Sequence, residues 1–158
     1  MTPTAQPLRS HHTRRTFVMG STAAIVTLVA APAMATPESM AEAIRDAFGD
    51  TPIQDGKVTV TLPDLTENGT SVPLSVEVDC AMSEDDFVRS IDVFSEKNPL
   101  PDVARYSLNA RSGRARVSTR IRLADSQSIV AIATMNDGTL WRGSAKTIVT
   151  LAACVDLI

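Results

Sequence analysis

Residues 114–123 read RARVSTRIRL, and this stretch decides the fold class. Ala115, Val117, Thr119, Ile121 and Leu123 alternate with Arg114, Arg116, Ser118, Arg120 and Arg122. A period of two places the first set on one face of a strand and the second on the other. Such a strand belongs to a sheet with one dry face and one wet face. The pattern recurs upstream. KVTVTL (57–62) alternates over Val58, Val60 and Leu62, and SVPLSVEVD (71–79) lines up Val72, Leu74, Val76 and Val78. SIDVFSE (90–96), ARYSLNA (104–110), QSIVAIATM (127–135) and SAKTIVTL (144–151) supply further short runs. Turn signals separate them: ENGT (67–70), KNPLPD (97–102), Ser112-Gly113 and NDGT (136–139), the last a hairpin signal. Roughly seven or eight short strands at this spacing predict an all-β antiparallel sandwich.

One segment departs from period two. TPESMAEAIRDAFGD (36–50) repeats Met40, Ile44 and Phe48 every fourth residue, the stripe of an amphipathic helix. Thr36 is suited to cap it, Pro37 to the first turn, Glu38 to its positive end and Gly49 to its stop. The expected organisation is a helix over 36–50, a sandwich over 51–151 and a tail over 152–158.

The first 35 residues read as a leader. Arg14 and Arg15 precede Phe17, an apolar stretch follows, and Ala33-Met34-Ala35 has the small-x-small form of a cleavage site. The paired arginines resemble a twin-arginine signal, with plain secretion as the alternative. Export by that route moves folded cargo and places the protein in the periplasm. No later segment is long and apolar enough to span a membrane, so no membrane insertion is expected.

Removing the leader narrows the chemistry. It holds three of the 15 basic side chains and none of the 18 acidic ones, which leaves a net charge of −6 on the remainder. That disfavours nucleic acid as a partner. It also holds both histidines, His11 and His12. Without an imidazole, Ser-His-Asp and Cys-His nucleophiles are excluded. Two cysteines cannot build a four-ligand thiolate zinc site. Neither GxGxxG nor GxxxxGK[ST] occurs. No cofactor and no enzymatic activity are expected.

Four features stand out. Arg114, Arg116, Arg120 and Arg122, with Arg111 before them, form a basic stripe. One reading is an ordinary solvated face that pairs with nearby Asp and Glu; the other is a surface for an acidic partner or anionic substrate. Glu84, Asp85 and Asp86 follow Ser83, which suits a capped helical turn better than a cation site, since the oxygen ligands that should follow at fixed spacing are missing. Trp141 and Tyr106 suit core or interface packing. Cys80 ends the apolar face of 71–79 as a small buried residue or as half of a bridge to Cys154. Cys154 sits on the tail, where a thiol can reach into a second protein's active site.

LPDLTENGTSVP (62–73), FSEKNPLPDVA (94–104) and STRIRLA (118–124) resemble the SoxY family, the sulfur-carrying subunits of bacterial thiosulfate oxidation. The resemblance runs over nearly all of the chain after the leader. It implies an immunoglobulin-like β-sandwich paired with a smaller sandwich subunit, SoxZ, which has no leader of its own and is exported with it. It further implies that Cys154 holds thiosulfate covalently as an S-thiosulfonate while other Sox enzymes act on it transiently. The family arm ends in GGCGG, whereas this chain reads AACVDLI at 152–158. The cysteine keeps its register and the glycines are gone. The alternative is therefore an accessory protein whose tail is structural.

Overall fold

A computed structural model describes residues 36–152. Helix α1 spans Pro37–Phe48. Nine strands follow: β1 (Ile53–Asp55), β2 (Val58–Thr61), β3 (Leu65–Thr66), β4 (Val72–Val78), β5 (Val88–Ser95), β6 (Asp102–Ser107), β7 (Arg116–Ile121), β8 (Gln127–Met135) and β9 (Leu140–Val149). They form two sheets. The larger runs β1-β9-β8-β5-β6, with β3 also on β9, and the smaller runs β2-β4-β7. The sandwich is the one the alternation predicts, and the N-terminal helix is the one the Met40-Ile44-Phe48 stripe predicts.

The core lies between the sheets. Val72, Leu74, Val76 and Val78 of β4 face Ile91 and Val93 of β5 and Ile129, Ala131 and Ala133 of β8. Ile91, Leu123 and Ile129 are fully buried, each contributing about 1.5–3 kcal/mol by leaving water. The alternation of residues 114–123 holds throughout: Ala115, Ile121 and Leu123 are buried, and the four arginines are exposed. The strand itself is shorter than the pattern. The Asn98 side chain takes the Arg122 carbonyl (2.9 Å) and the Ala124 N–H (3.0 Å), so the ladder stops at Ile121.

Strand β5 breaks the one-sided pattern because the larger sheet is covered on both faces. Ile91 and Val93 point into the sandwich, while Phe94 points outward with Ile132 and Leu140, under Met40, Ile44 and Phe48 of α1. Phe48 and Phe94 meet edge to face, centroids 6.2 Å apart. The helix start is a reciprocal cap: Ser39 N–H donates to Thr36 Oγ1 (3.3 Å) and Thr36 N–H to Ser39 Oγ (2.7 Å). Asp92, also on the outer face and 3% exposed, is held by its cross-strand partner Arg105 and by the Ser90 hydroxyl (2.8 Å).

Two expectations need correction. The sheets are not antiparallel throughout, since β1 and β3 both pair parallel with β9. The chain weaves there: β1 lies on the larger sheet, β2 on the smaller, β3 on the larger again and β4 on the smaller. Residues 83–86 close a turn, with no helical turn: Ser83 N–H donates to the Asp86 carbonyl (2.9 Å) and Asp86 N–H to Ser83 Oγ (3.1 Å). The local capping logic survives, but the chain enters β5 two residues later and no helix propagates. Among the described residues no helix is long and apolar enough to cross a membrane.

Candidate functional site at the root of the C-terminal tail

The carrier candidate Cys154 and the leader lie outside the described residues, so the site is built from what holds the tail. Strand β9 ends at Val149, and two short pieces of chain grip that end. On one side β3 runs parallel to it, with Leu65 beside Ile148 and Thr66 beside Val149. Ile148 N–H donates to the Asp64 carbonyl (2.9 Å) and Thr150 N–H to the Thr66 carbonyl (3.1 Å). On the other side Ser126 Oγ accepts from Val149 N–H (2.9 Å).

The ENGT turn completes the grip. Thr150 Oγ1 donates to the Glu67 carbonyl (3.1 Å), and Gly69 N–H donates to the Leu151 carbonyl (2.8 Å). Gly69 also accepts from Leu123 N–H (2.9 Å), which ties the tail root to the residue that ends the RARVSTRIRL stretch. Asn68 stiffens the turn, its Oδ1 accepting from Thr70 N–H (2.8 Å) and Thr70 Oγ1 (2.7 Å). The chain is thus anchored through Leu151. Two alanines separate Leu151 from Cys154, three Cα steps or about 10–11 Å at full extension.

The surface at the root is apolar. Leu65, Ile148 and Leu151 are 55%, 57% and 67% exposed, three of the four large hydrophobic side chains so exposed among the described residues. A cleft beside them is lined by Lys97 and Lys146 together with Asp64 and Glu96. Its charges balance, and Lys97 is already paired with Asp125 at 2.8 Å. The cleft therefore offers no net attraction for an anion.

Cys80 is placed quite differently. It is a half-buried free thiol at the edge of the core. Its Sγ donates to the Asp86 carbonyl (3.3 Å) and accepts weakly from Met82 N–H (3.5 Å). Burial pushes the thiol above its ordinary value, the Met82 N–H opposes this, and the nearby Asp86 charge adds to it. A thiol so held is a poor nucleophile. The alternative bridge to Cys154 falls on a residue outside those described.

The basic stripe is exposed at Arg114, Arg116, Arg120 and Arg122, and none of the four is in an ion pair among the described residues. Of the solvated-face reading, the exposure is seen, while pairing with neighbouring Asp and Glu is not seen among the described residues. Glu77 stands opposite Arg116 in register without pairing to it. Trp141 packs against the core with Lys57 Nζ 5.0 Å from its ring centroid, and Tyr106 packs against the core from β6. Among the described residues no group of three acidic, cysteine or histidine side chains is arranged to hold a metal ion.

What sequence reasoning missed is the clamp. Its parts read as a turn and a strand end, and nothing local joins residues 64–69 to 148–151.

The family model described as sulfur oxidation protein SoxY matches residues 44–154. Among solved structures, the sulfur carrier protein SoxY from Chlorobium limicola f thiosulfatophilum is 28% identical, with 72% of this chain and 98% of that chain covered at a TM-score of 0.61. The superoxide reductase (neelaredoxin) from Ignicoccus hospitalis is 19% identical, with 73% and 94% covered at a TM-score of 0.52. That of Nanoarchaeum equitans is 12% identical, with 60% and 99% covered at 0.50. The last two likenesses are of fold alone. No curated protein matches the chain.

Proposed function

Because the chain belongs to the SoxY family, we propose that it is a carrier protein of thiosulfate oxidation that holds sulfur intermediates covalently on Cys154. The observation that carries this reading is the family match running to residue 154, beyond a root clamped at Leu151. A rigid body with a short cysteine-bearing tether suits a protein that presents cargo rather than transforms it. Joining the Cys154 thiolate to the outer sulfur of thiosulfate forms one S–S bond and releases two electrons. A separate electron-accepting protein must take them. Other Sox enzymes then act on the adduct, and the chain needs neither a cofactor nor catalysis of its own.

The tether differs from a glycine arm. Val155 and Ile158 are β-branched and stiff, and alanines flank the cysteine on its N-terminal side. Enzymes serving this chain need a wider entrance than a GGCGG arm requires. The test is the intact mass of the protein purified from thiosulfate-grown cells. A reducible mass increment mapping to the peptide around Cys154 is expected; an unmodified mass under those conditions would sink the reading.

A second reading is favoured by the apolar root. Val155, Leu157 and Ile158 can lie down on Leu65, Ile148 and Leu151, making the tail structural and the protein an accessory one.

We place the protein in the periplasm, exported folded together with a SoxZ-like subunit, on the strength of Arg14-Arg15 and Ala33-Met34-Ala35. Arg14→Lys with Arg15→Lys should hold the protein in the cytoplasm. Normal periplasmic yield of that variant would point to ordinary secretion.

A further inference from the structure

We infer that the outer edge of β7 is a docking surface, built to receive an extended, acidic strand from another protein. This deepens the heterodimer reading above, on which the identity of the partner rests.

The argument starts from the ladder. Strand β7 pairs with β4 alone and so ends its sheet. Val78 N–H donates to the Ala115 carbonyl (2.8 Å), which makes 78 and 115 a hydrogen-bonded pair. In an antiparallel ladder such pairs alternate with non-bonded ones. Val117, Thr119 and Ile121, opposite Val76, Leu74 and Val72, therefore bond to β4. Arg116, Ser118 and Arg120 fall in the non-bonded positions. Two features agree: Arg120 stands opposite Pro73, which has no N–H to give, and the Ser118 and Ser75 hydroxyls approach to 3.2 Å. The N–H and C=O groups of Arg116, Ser118 and Arg120 thus point outward, and no backbone group of the described residues takes them up.

This open stretch has defined ends. Beyond Arg120, the Arg122 carbonyl is already taken by Asn98. Before Arg116, Arg114 N–H turns back to the Ser112 carbonyl (2.9 Å). Five residues remain, about 17 Å of edge at 3.3–3.4 Å per residue. A groove beside it, between β7 and β6, is lined by Leu100, Val103, Tyr106 and Ile121, and Leu100 is 73% exposed. The charged groups in that lining are one carboxylate, Asp102, and two guanidinium groups, Arg120 and Arg122.

Charge selects the occupant. Arg114, Arg116, Arg120 and Arg122 are exposed and without ion pairs among the described residues, on a chain whose charge after the leader is −6. A second copy does not fit. Antiparallel self-pairing centred on Ser118 would set Arg116 against Arg120, and like charges directly opposite are destabilising. An extended segment with carboxylates at alternate positions meets both requirements: its backbone completes the three open positions and its acids meet the guanidinium groups.

The test uses the chain co-expressed with a SoxZ-like subunit and exported by the host. Hydrogen exchange of the free and bound wild-type chain is compared at the amides of Arg116, Ser118 and Arg120, with those of Val117, Thr119 and Ile121 as internal references. Binding at low and high salt is measured for the wild type, for Arg116→Glu with Arg120→Glu, for Ser118→Pro, and for Arg45→Glu on α1 as a control. Expected are new protection at the three outward amides, at least tenfold weaker binding for the first two variants, and less than twofold change for the control. A stable complex whose β7 amides exchange as in the free chain overturns the edge proposal and leaves the carrier reading standing. If no complex forms with that subunit, the heterodimer reading and the edge proposal fall together. Exchange is read on the wild type, so the result stands even where a variant folds poorly.

Discussion

Cys154→Ser should leave a folded sandwich that carries no sulfur. The reducible adduct should vanish completely, and thiosulfate-dependent oxidation reconstituted with the partner enzymes should fall to background. The melting temperature should move by less than about 2 °C, because Cys154 lies beyond the last clamped residue, Leu151. The same variant separates the two readings of the tail. In the native reduced wild type, a maleimide should modify one thiol rapidly, and Cys154→Ser should remove that reaction. Cys80 should stay unmodified, since its thiol is half-buried, held by Asp86 and Met82, and shifted away from the thiolate form. A Cys80–Cys154 disulfide found by peptide mapping would sink the carrier reading outright. Should Cys154 instead stay free and react no faster than Cys80 until denaturant is added, the docked tail is the correct account. The apolar patch of Leu65, Ile148 and Leu151 would then be its seat.

The largest effect on stability is expected at Gly143. This residue lies in β9 where β2 of the opposite sheet comes closest. A Cβ added there would stand 2.9 Å from the Val58 carbonyl carbon and closer still to its oxygen. The obstacle is backbone, held by the Val58–Val78 register of β2 on β4, so it cannot swing aside as a side chain can. Gly143→Ala should cost about 3 kcal/mol, the upper end for overpacking a close-packed interior. For a domain of this size that is a fall in Tm of about 10 °C. Gly143→Ser should behave likewise, whereas Ser144→Ala, on the exposed face of the same strand, should be near neutral. An unchanged melting temperature for Gly143→Ala would mean that β2 yields freely and that the approach of the two sheets is loose. The cost falls on the fold alone, so thiol reactivity at Cys154 should persist at temperatures where the variant is folded.

The sequence by itself determined the sandwich and the two faces of its strands. Alternation is a local property, and residues 72–78 and 114–123 sort between core and solvent as their period dictates. The helix was equally legible, because its cap, its first-turn proline and its Met40-Ile44-Phe48 stripe lie within one short segment. Cys154 enters as the carrier candidate only through the family resemblance, since a lone thiol has no local signature. Tertiary structure decided the rest, and the reason is the same each time. Strand β1, the two-residue strand β3 and the clamp of Leu151 by Gly69 depend on pairings across 80 or more residues. Gly143, just before SAKTIVTL, lies inside β9, and it is the Val58 carbonyl of the opposite sheet that leaves room there for no side chain. The arginine stripe shows the division within one element. Period two put Arg116 and Arg120 on the wet face, but only the sheet order made β7 an edge, and only the Pro73 register turned its Arg116, Ser118 and Arg120 amides outward.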